Sequence, residues 1–166
     1  MLSSHEIFGF MSPDLAGQIL EFTFANDKPL YRGTLNAVAE AKKVRPVFLE
    51  RRPRLERNQE IIAMLAKPRL ELAAAGLLRG WLMKKHKTML ATFLDTLGIT
   101  HKDGAVEDLP AAMDDAKLNT AIDTILGQYS REEVAAYLNA FYTMNEVSWE
   151  NLKKILETDP RLQFGA

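Results

Sequence analysis

Four arginines within seven residues are the part of this sequence best suited to chemistry. They are Arg51, Arg52, Arg54 and Arg57. A guanidinium group carries five N–H donors in a planar fork that matches the oxygens of a phosphate or a carboxylate. Arg54 and Arg57 are three residues apart, so they share one face of a helix. The spacing therefore predicts an anion-binding site with these four arginines as ligands.

The position of these arginines favours function over stability. They lie where a helix is predicted to begin after Pro53, and cations at a helix N-terminus oppose the helix dipole by a few tenths of a kcal/mol each. A broken local rule is a mild indication of a functional site. The alternative is that Glu50, Glu56 and Glu60, or the acidic flanks of the chain, pair with them, or that they form a solvated face.

A second basic group follows Trp81 and consists of Lys84, Lys85 and Lys87. Cations beside an aromatic ring can hold single-stranded nucleic acid, because bases stack on the ring while the cations follow the phosphates. The competing interpretation, which we favour, is that Trp81 belongs to the core. The lysines would then end a helix, where positive charge is stabilising.

Both basic groups belong to a segment whose charge differs from the rest of the chain. The totals are 21 Lys+Arg and 22 Asp+Glu, but residues 42–87 hold 13 basic and 4 acidic residues, a balance of +9. The remainder holds 8 basic and 18 acidic residues, a balance of −10. Such a basic segment either matches the acidic flanks inside the fold or binds an anionic partner, with nucleic acid as the main example.

No other motif predicts chemistry. The chain has no cysteine, and His5, His86 and His101 are scattered, so the only ligand pair offered to a metal is the common pattern of His101 with Asp103. Neither Gly-x-Ser-x-Gly nor a phosphate-binding glycine loop is present. We therefore predict no catalytic residue, no metal and no cofactor. An enzyme with carboxylates hidden between helices is the remaining alternative.

Length and composition indicate one globular domain. The 166 residues are 47% hydrophobic and 26% charged, which is close to the average for globular proteins. The N-terminus lacks the basic and long apolar regions of a signal peptide. The longest apolar stretch, 70–83, contains Glu71 and Arg79, too polar to span a bilayer. We expect a cytoplasmic protein that does not bind membranes.

Helical spacing of apolar residues dominates the chain and predicts an all-α fold. Starting signals at Ser12-Pro13, Asp114, Ser130 and Ser148 mark four helix N-termini. Other helices are predicted over 30–43, 53–66 and 69–85, the last one central because its apolar arc is wide. The prediction is an irregular bundle of about seven to eight helices in a single domain, 1–166, with the loop near 98–113 as the place where two lobes would join.

Four apolar segments near the basic residues or the chain ends are expected to pack on the core. The triplet at 47–49 should pin a turn of helix, and Leu55, Ile62 and Leu65 should form the inner face of the helix after Pro53. Apolar residues at 7–11 and 162–164 should dock on the chain itself. Their alternative role is to anchor a second subunit.

Taken together, these features favour a non-enzymatic adaptor or regulatory module. Its partner would be another protein or a second copy of the chain. The first alternative is a protein that binds nucleic acid or another polyanion through the basic segment 42–87.

Overall fold

The computed structural model describes residues 1–165, in which 72% of the chain is helical and no strand is formed. The all-α prediction is confirmed, with ten helices in place of seven or eight. Their bounds are α1 Ser4–Phe10, α2 Pro13–Asn26, α3 Lys28–Ala41, α4 Pro46–Glu50, α5 Arg54–Leu65, α6 Glu71–Lys85, α7 Lys87–Leu97, α8 Asp115–Leu126, α9 Arg131–Met144 and α10 Glu150–Thr158. Short 3-10 turns lie at Pro68–Leu70 and Pro160–Leu162.

Most helix starts follow the predicted local signals. The side chains of Ser12, Asp114 and Ser130 each accept a hydrogen bond from a backbone N–H three residues later, as N-caps do. The prediction for Ser148 is wrong, because the chain stays extended through Trp149 and α10 begins at Glu150. The reason is that Trp149 is buried and its Nε1 donates to the carbonyl of Pro110 (2.8 Å).

The chain divides into two compact units inside α6. The N-terminal unit is Ser3–Trp81, and the C-terminal unit is the chain from Leu82 onward together with Met1–Leu2. The predicted junction near 98–113 is therefore misplaced. That loop joins α7 to α8, and these two helices pack against each other within the C-terminal unit.

In the N-terminal unit, α2, α3 and α5 pack together. Helix α1 packs on α5, and α4 packs on α3 and α5. Ile7, Ile19, Leu35, Ile61 and Leu65 are fully buried.

At the ends of the chain, packing on the chain's own core is confirmed for Ile7, Phe8, Met11 and Leu162, whereas Phe10 is 58% exposed.

The triplet 47–49 holds a turn of helix on the core as predicted, whereas the predicted inner face of α5 is correct only for Leu65. Only Leu49 of the triplet 47–49 is buried, because consecutive residues of a helix are about 100° apart and one of three can face the core. The buried face of α5 contains Asn58, Ile61 and Leu65. In the first turn of α5, the residue on this face is therefore residue 54, not residue 55. Leu55 is rotated away and is 72% exposed.

The C-terminal unit contains a continuous aromatic cluster. Phe93 of α7 makes edge-to-face contacts with Tyr137 and Phe141 of α9, with ring centroids 5.5 Å apart in both pairs. Trp149 extends the cluster with its centroid 5.7 Å from Phe141. Such pairs add about 0.5–1.5 kcal/mol to the burial of the rings.

Helix α6 is buried over the wide arc that its sequence predicts. Ala74, Leu77, Leu78, Trp81 and Leu82 are all at most 4% exposed. The boundary between the two units lies within this helix, between Trp81 and Leu82. Across residues 1–165, no helix combines the length and apolar character that crossing a bilayer requires.

Candidate functional site: an arginine cleft and a basic–apolar surface

The four predicted anion-binding arginines have four different environments. Arg52 forms an ion pair with Glu60 (3.1 Å), which also pairs with Lys42. Arg51 is exposed and, within residues 1–165, has no ion-pair partner. The predicted alternative of local neutralisation is thus realised at Arg52, by Glu60, and does not extend to Arg51.

Arg54 is neutralised by a carboxylate that the sequence does not single out. Its Nε donates to Oε1 of Glu21 on α2 (3.1 Å), and its guanidinium lies over the ring of Phe24, 4.6 Å from the centroid. The pair is half-exposed, so its net contribution to stability is about 0–1 kcal/mol. Arg54 therefore serves mainly to order the first turn of α5 against α2.

Arg57 is the one of the four that is held in place without a carboxylate partner in the described chain. Its Nε donates to Oη of Tyr31 (2.9 Å) and its Nη1 donates to the carbonyl of Glu50 (3.1 Å). Tyr31 Oη in turn donates to Oδ1 of the buried Asn58 (2.5 Å), whose Nδ2 donates to Glu21 (3.1 Å). This chain of hydrogen bonds fixes the orientation of Tyr31, Asn58 and the Nε side of Arg57.

A cleft of about 330 Å³ opens beside Arg57. Its lining residues are Phe24, Lys28, Tyr31, Arg32, Leu35, Glu50 and Arg57. Three are cations and one is a carboxylate, which accepts a hydrogen bond from Arg32 (3.0 Å). The Phe24 and Tyr31 rings meet edge to face with centroids 5.2 Å apart. The cleft thus combines positive charge with aromatic walls.

A basic–apolar surface lies on α4 and the residues on either side of it. Its apolar members, exposed by 38–72%, are Val44, Val47, Phe48 and Leu55. Its basic members are Lys43, Arg45 and Arg51, which are exposed and have no ion-pair partner in the part of the chain that the structure describes. A large apolar side chain among unpaired cations is a feature of interaction sites.

The second basic group is placed in the C-terminal unit. Lys84, Lys85 and Lys87 are exposed, at the end of α6 and the start of α7. Trp81 is 3% exposed, so its ring is closed to a nucleic-acid base, and the prediction that it belongs to the core is confirmed. The structure therefore does not form the predicted combination of Trp81 with these lysines as a stacking site.

His86, between those lysines, faces inward. Its Nε2 lies 2.5 Å from Oε2 of Glu133, and its ring meets Tyr129 edge to face. Burial lowers the pKa of His86, and the nearby Glu133 carboxylate acts in the opposite direction. The histidine is therefore part of the packing between α7 and α9, where its neutral form is favoured.

The other histidines are held by structural contacts. His101 Nδ1 accepts from the backbone N–H of Gly104 (3.0 Å), and its Nε2 meets Asp95 (2.7 Å). His5 Nδ1 lies near both Ser3 Oγ (3.1 Å) and Glu71 (2.7 Å). A hydrolytic triad needs the serine and the acid on opposite ring nitrogens, so this group is not one. Within residues 1–165, no three potential ligands converge on a metal position.

No family model matches the chain, and comparison with curated proteins and with solved structures finds no match. The candidate sites therefore depend on their geometry alone. Sequence analysis missed Phe24 and Tyr31 at the cleft and Glu21 near it, since Tyr31 precedes Arg57 by 26 residues and Glu21 precedes Arg54 by 33. It also placed Leu55 on the inner face of its helix, and it did not show which residue of the triplet 47–49 would be exposed. The sequence carries one signal of this exposed surface, which is that apolar residues interrupt a run of basic residues.

Proposed function

We propose that this chain is a non-enzymatic interaction module that binds an acidic, amphipathic segment of another protein through the basic–apolar surface. The observation that carries the proposal is Phe48, which is 55% exposed on α4 between cations that have no ion-pair partner within residues 1–165. An exposed aromatic residue is the usual type of anchor in a protein interface.

Charge complementarity selects the partner. Lys43, Arg45 and Arg51 are unpaired in the described part of the chain, so an acidic partner would gain three opposite charges without displacing an existing ion pair. Attraction of this kind raises the association rate and excludes partners of like charge. The partner must also cover Val47 and Leu55, which calls for apolar side chains among its acidic ones.

Nucleic acid fits this surface less well than a protein segment. A base can stack on Phe48, but it offers nothing that matches the aliphatic side chains of Val47 and Leu55. The predicted stacking residue, Trp81, is buried. Binding dominated by phosphate contacts would also weaken linearly with the logarithm of salt concentration, whereas burial of apolar side chains leaves a part of the affinity that salt does not remove.

The test is fluorescence anisotropy with a labelled helical peptide that carries leucines on one face and glutamates elsewhere. A scrambled peptide of equal composition and a single-stranded DNA of equal charge serve as comparison probes. We expect the amphipathic peptide to bind best, and Phe48→Ala to weaken it about tenfold or more, as interface anchors do. Leu55→Ala and Arg51→Gln should each weaken binding by a smaller factor.

Matched controls exist in the same unit. Leu72 is 89% exposed on α6 and lies outside the surface, so Leu72→Ala should leave binding unchanged. Arg79, which is also exposed, provides the control Arg79→Gln. Tighter binding of DNA than of peptide, insensitive to Phe48→Ala, would contradict the proposal. A dimer that Phe48→Ala dissociates would replace the acidic segment with a second copy of the chain.

A further inference from the structure

We infer that the cleft at Arg57 is a separate binding site for a small molecule in which a carboxylate or phosphate is attached to a flat apolar group. The site does not depend on the basic–apolar surface. It is defined by an arginine that is held in a fixed orientation with unused donors, by further cations at the rim, and by two aromatic rings.

Arg57 is positioned before any ligand arrives. Two of its five N–H donors are fixed, one by the Tyr31 hydroxyl and one by the carbonyl of Glu50. The other three, including both on Nη2, meet no acceptor within residues 1–165. The guanidinium is half-buried, so these three donors remain available to a ligand that enters the cleft. An oxyanion in the cleft would accept from these donors, and the fork would need no rearrangement.

The charges around the cleft reinforce this preference. Lys28 is exposed at the rim and has no ion-pair partner in the described chain. The carboxylate of Glu50 is engaged by Arg32 (3.0 Å), so it does not neutralise Arg57. The cleft thus carries an excess of two positive charges, which suits an anion bearing one or two negative charges.

The aromatic walls define the rest of the ligand. Tyr31 and Leu35 are buried residues that reach the cleft, and Phe24 lies beside them. The guanidinium carbon of Arg57 lies 5.7 Å from the centroid of Phe24 and 5.4 Å from that of Tyr31. A volume of about 330 Å³ is at the lower end of the range for ligand pockets. It therefore suits a small aryl or acyl anion rather than a polymer.

The experiment is a titration of the isotope-labelled protein followed by NMR at the arginine Nε–H and the aromatic ring signals. The probes are phenyl phosphate, benzoate, inorganic phosphate and neutral benzamide. We expect phenyl phosphate or benzoate to shift Arg57 Nε–H and the rings of Phe24 and Tyr31, inorganic phosphate to bind at least several-fold more weakly, and benzamide to cause no saturable shift. The stronger of the two aryl anions identifies the preferred acid group.

Variants separate this cleft from the surface next to it. Arg57→Gln should weaken the best aryl anion at least tenfold, whereas Arg51→Gln should leave it unchanged. Because Arg57 also supports the fold, Lys28→Gln provides a second variant. It removes no side-chain hydrogen bond or ion pair within residues 1–165, and it should weaken binding two- to fivefold. Conversely, Arg57→Gln should not reduce binding of the amphipathic peptide as Phe48→Ala does.

The inference is overturned by any of three results. The first is the absence of a saturable shift with both aryl anions at millimolar concentration. The second is equal binding of benzamide, which would show an apolar cavity with no role for charge. The third is an unchanged affinity in both Arg57→Gln and Lys28→Gln. None of these results would affect the proposed peptide binding, which is measured with a different probe and depends on Phe48.

Discussion

The two units treat their large apolar side chains differently. The N-terminal unit exposes six of them by more than a third, namely Phe10, Val44, Val47, Phe48, Leu55 and Leu72. In the described part of the C-terminal unit, Met1 is the one large apolar side chain exposed to this extent, at 44%. An exposed patch stabilises nothing in the free protein, so the comparison suggests that the N-terminal unit is the one with a binding surface.

Individual arginines of the two units show a related contrast in charge pairing. In the C-terminal unit, Arg161 bridges Asp123 and Asp159, and its hydrogen bonds hold the pKa of Asp159 below the usual value. In the N-terminal unit, Arg51 and Arg57 have no carboxylate partner within residues 1–165. An arginine that is paired with a carboxylate of its own unit attracts an anionic ligand only weakly. An arginine without such a partner attracts it more strongly.

The largest difference in stability should be between alanine variants of a buried phenylalanine, Phe93, and an exposed one, Phe48. Phe93→Ala removes the centre of the aromatic cluster, where the side chain is fully buried, and should lower the free energy of unfolding by about 3–5 kcal/mol. Phe48→Ala should change it by less than about 0.5 kcal/mol. Urea unfolding followed by circular dichroism measures both. Equal losses would mean that Phe48 belongs to the core.

Alanine at a glycine should act in opposite directions in the two units. Gly104 has φ +89°, and a Cβ there would lie 2.8 Å from Cβ of Leu90, so Gly104→Ala should destabilise by about 1–3 kcal/mol. Gly17 lies in α2 with no atom within 4 Å of an added Cβ, and Gly17→Ala should stabilise by up to about 1 kcal/mol. Thermal unfolding of both variants tests this, and a shift in the same direction would contradict it.

The buried histidine should make the stability of the C-terminal unit depend on pH. Because the pKa of His86 is lower in the folded state than the unfolded value of about 6.5, the unfolded chain binds more protons below that pH. Stability from this group is therefore fully present above about pH 6.5. It falls as the pH decreases toward the folded pKa, by at most about 1.4 kcal/mol per pH unit.

The measurement is chemical unfolding between pH 7.5 and 5.5, compared with His86→Gln, which should show a flatter profile. Glu133→Gln tests the cause. The carboxylate of Glu133 raises the pKa of His86 against the effect of burial, so its removal should extend the loss of stability to lower pH. A profile that is unchanged in His86→Gln would show that another group is responsible.

The smallest difference in stability should be between variants of a paired arginine, Arg161, and one that is unpaired within residues 1–165, Arg51. Arg161 donates to Asp159 and Asp123, so Arg161→Gln should lower the free energy of unfolding by up to about 1 kcal/mol. Arg51→Gln should change it by less than about 0.5 kcal/mol. If Arg51→Gln destabilised the protein as much as Arg161→Gln does, Arg51 would have a structural role in place of a binding one.

Local signals in the sequence were sufficient for most helices. The caps at Ser12, Asp114 and Ser130 bond to groups three residues away, so they form wherever the chain lies. The rotation of α5 could not be predicted in this way. It depends on Asn58, whose partners Tyr31 and Glu21 are 27 and 37 residues away, and that rotation turns Leu55 outward.

The candidate site was predicted only in part for the same reason. The sequence identified the arginines as potential anion ligands, and Arg57 is among them. It did not show which arginines are already neutralised, because that depends on Glu21, 33 residues before Arg54. The triplet 47–49 was expected to hold a turn of helix on the core, but the sequence did not show that Phe48 would be exposed, because an apolar pattern is the same whether or not a neighbour covers it.

The sequence by itself determined the helical class, most of the helix boundaries and the concentration of positive charge in residues 42–87, since these follow from the spacing and type of nearby residues. The tertiary structure alone decided which cations are paired, which apolar faces are covered, and where the chain divides into units. These properties depend on groups that are far apart in the sequence. An ion pair or a buried contact forms only when folding brings both partners together.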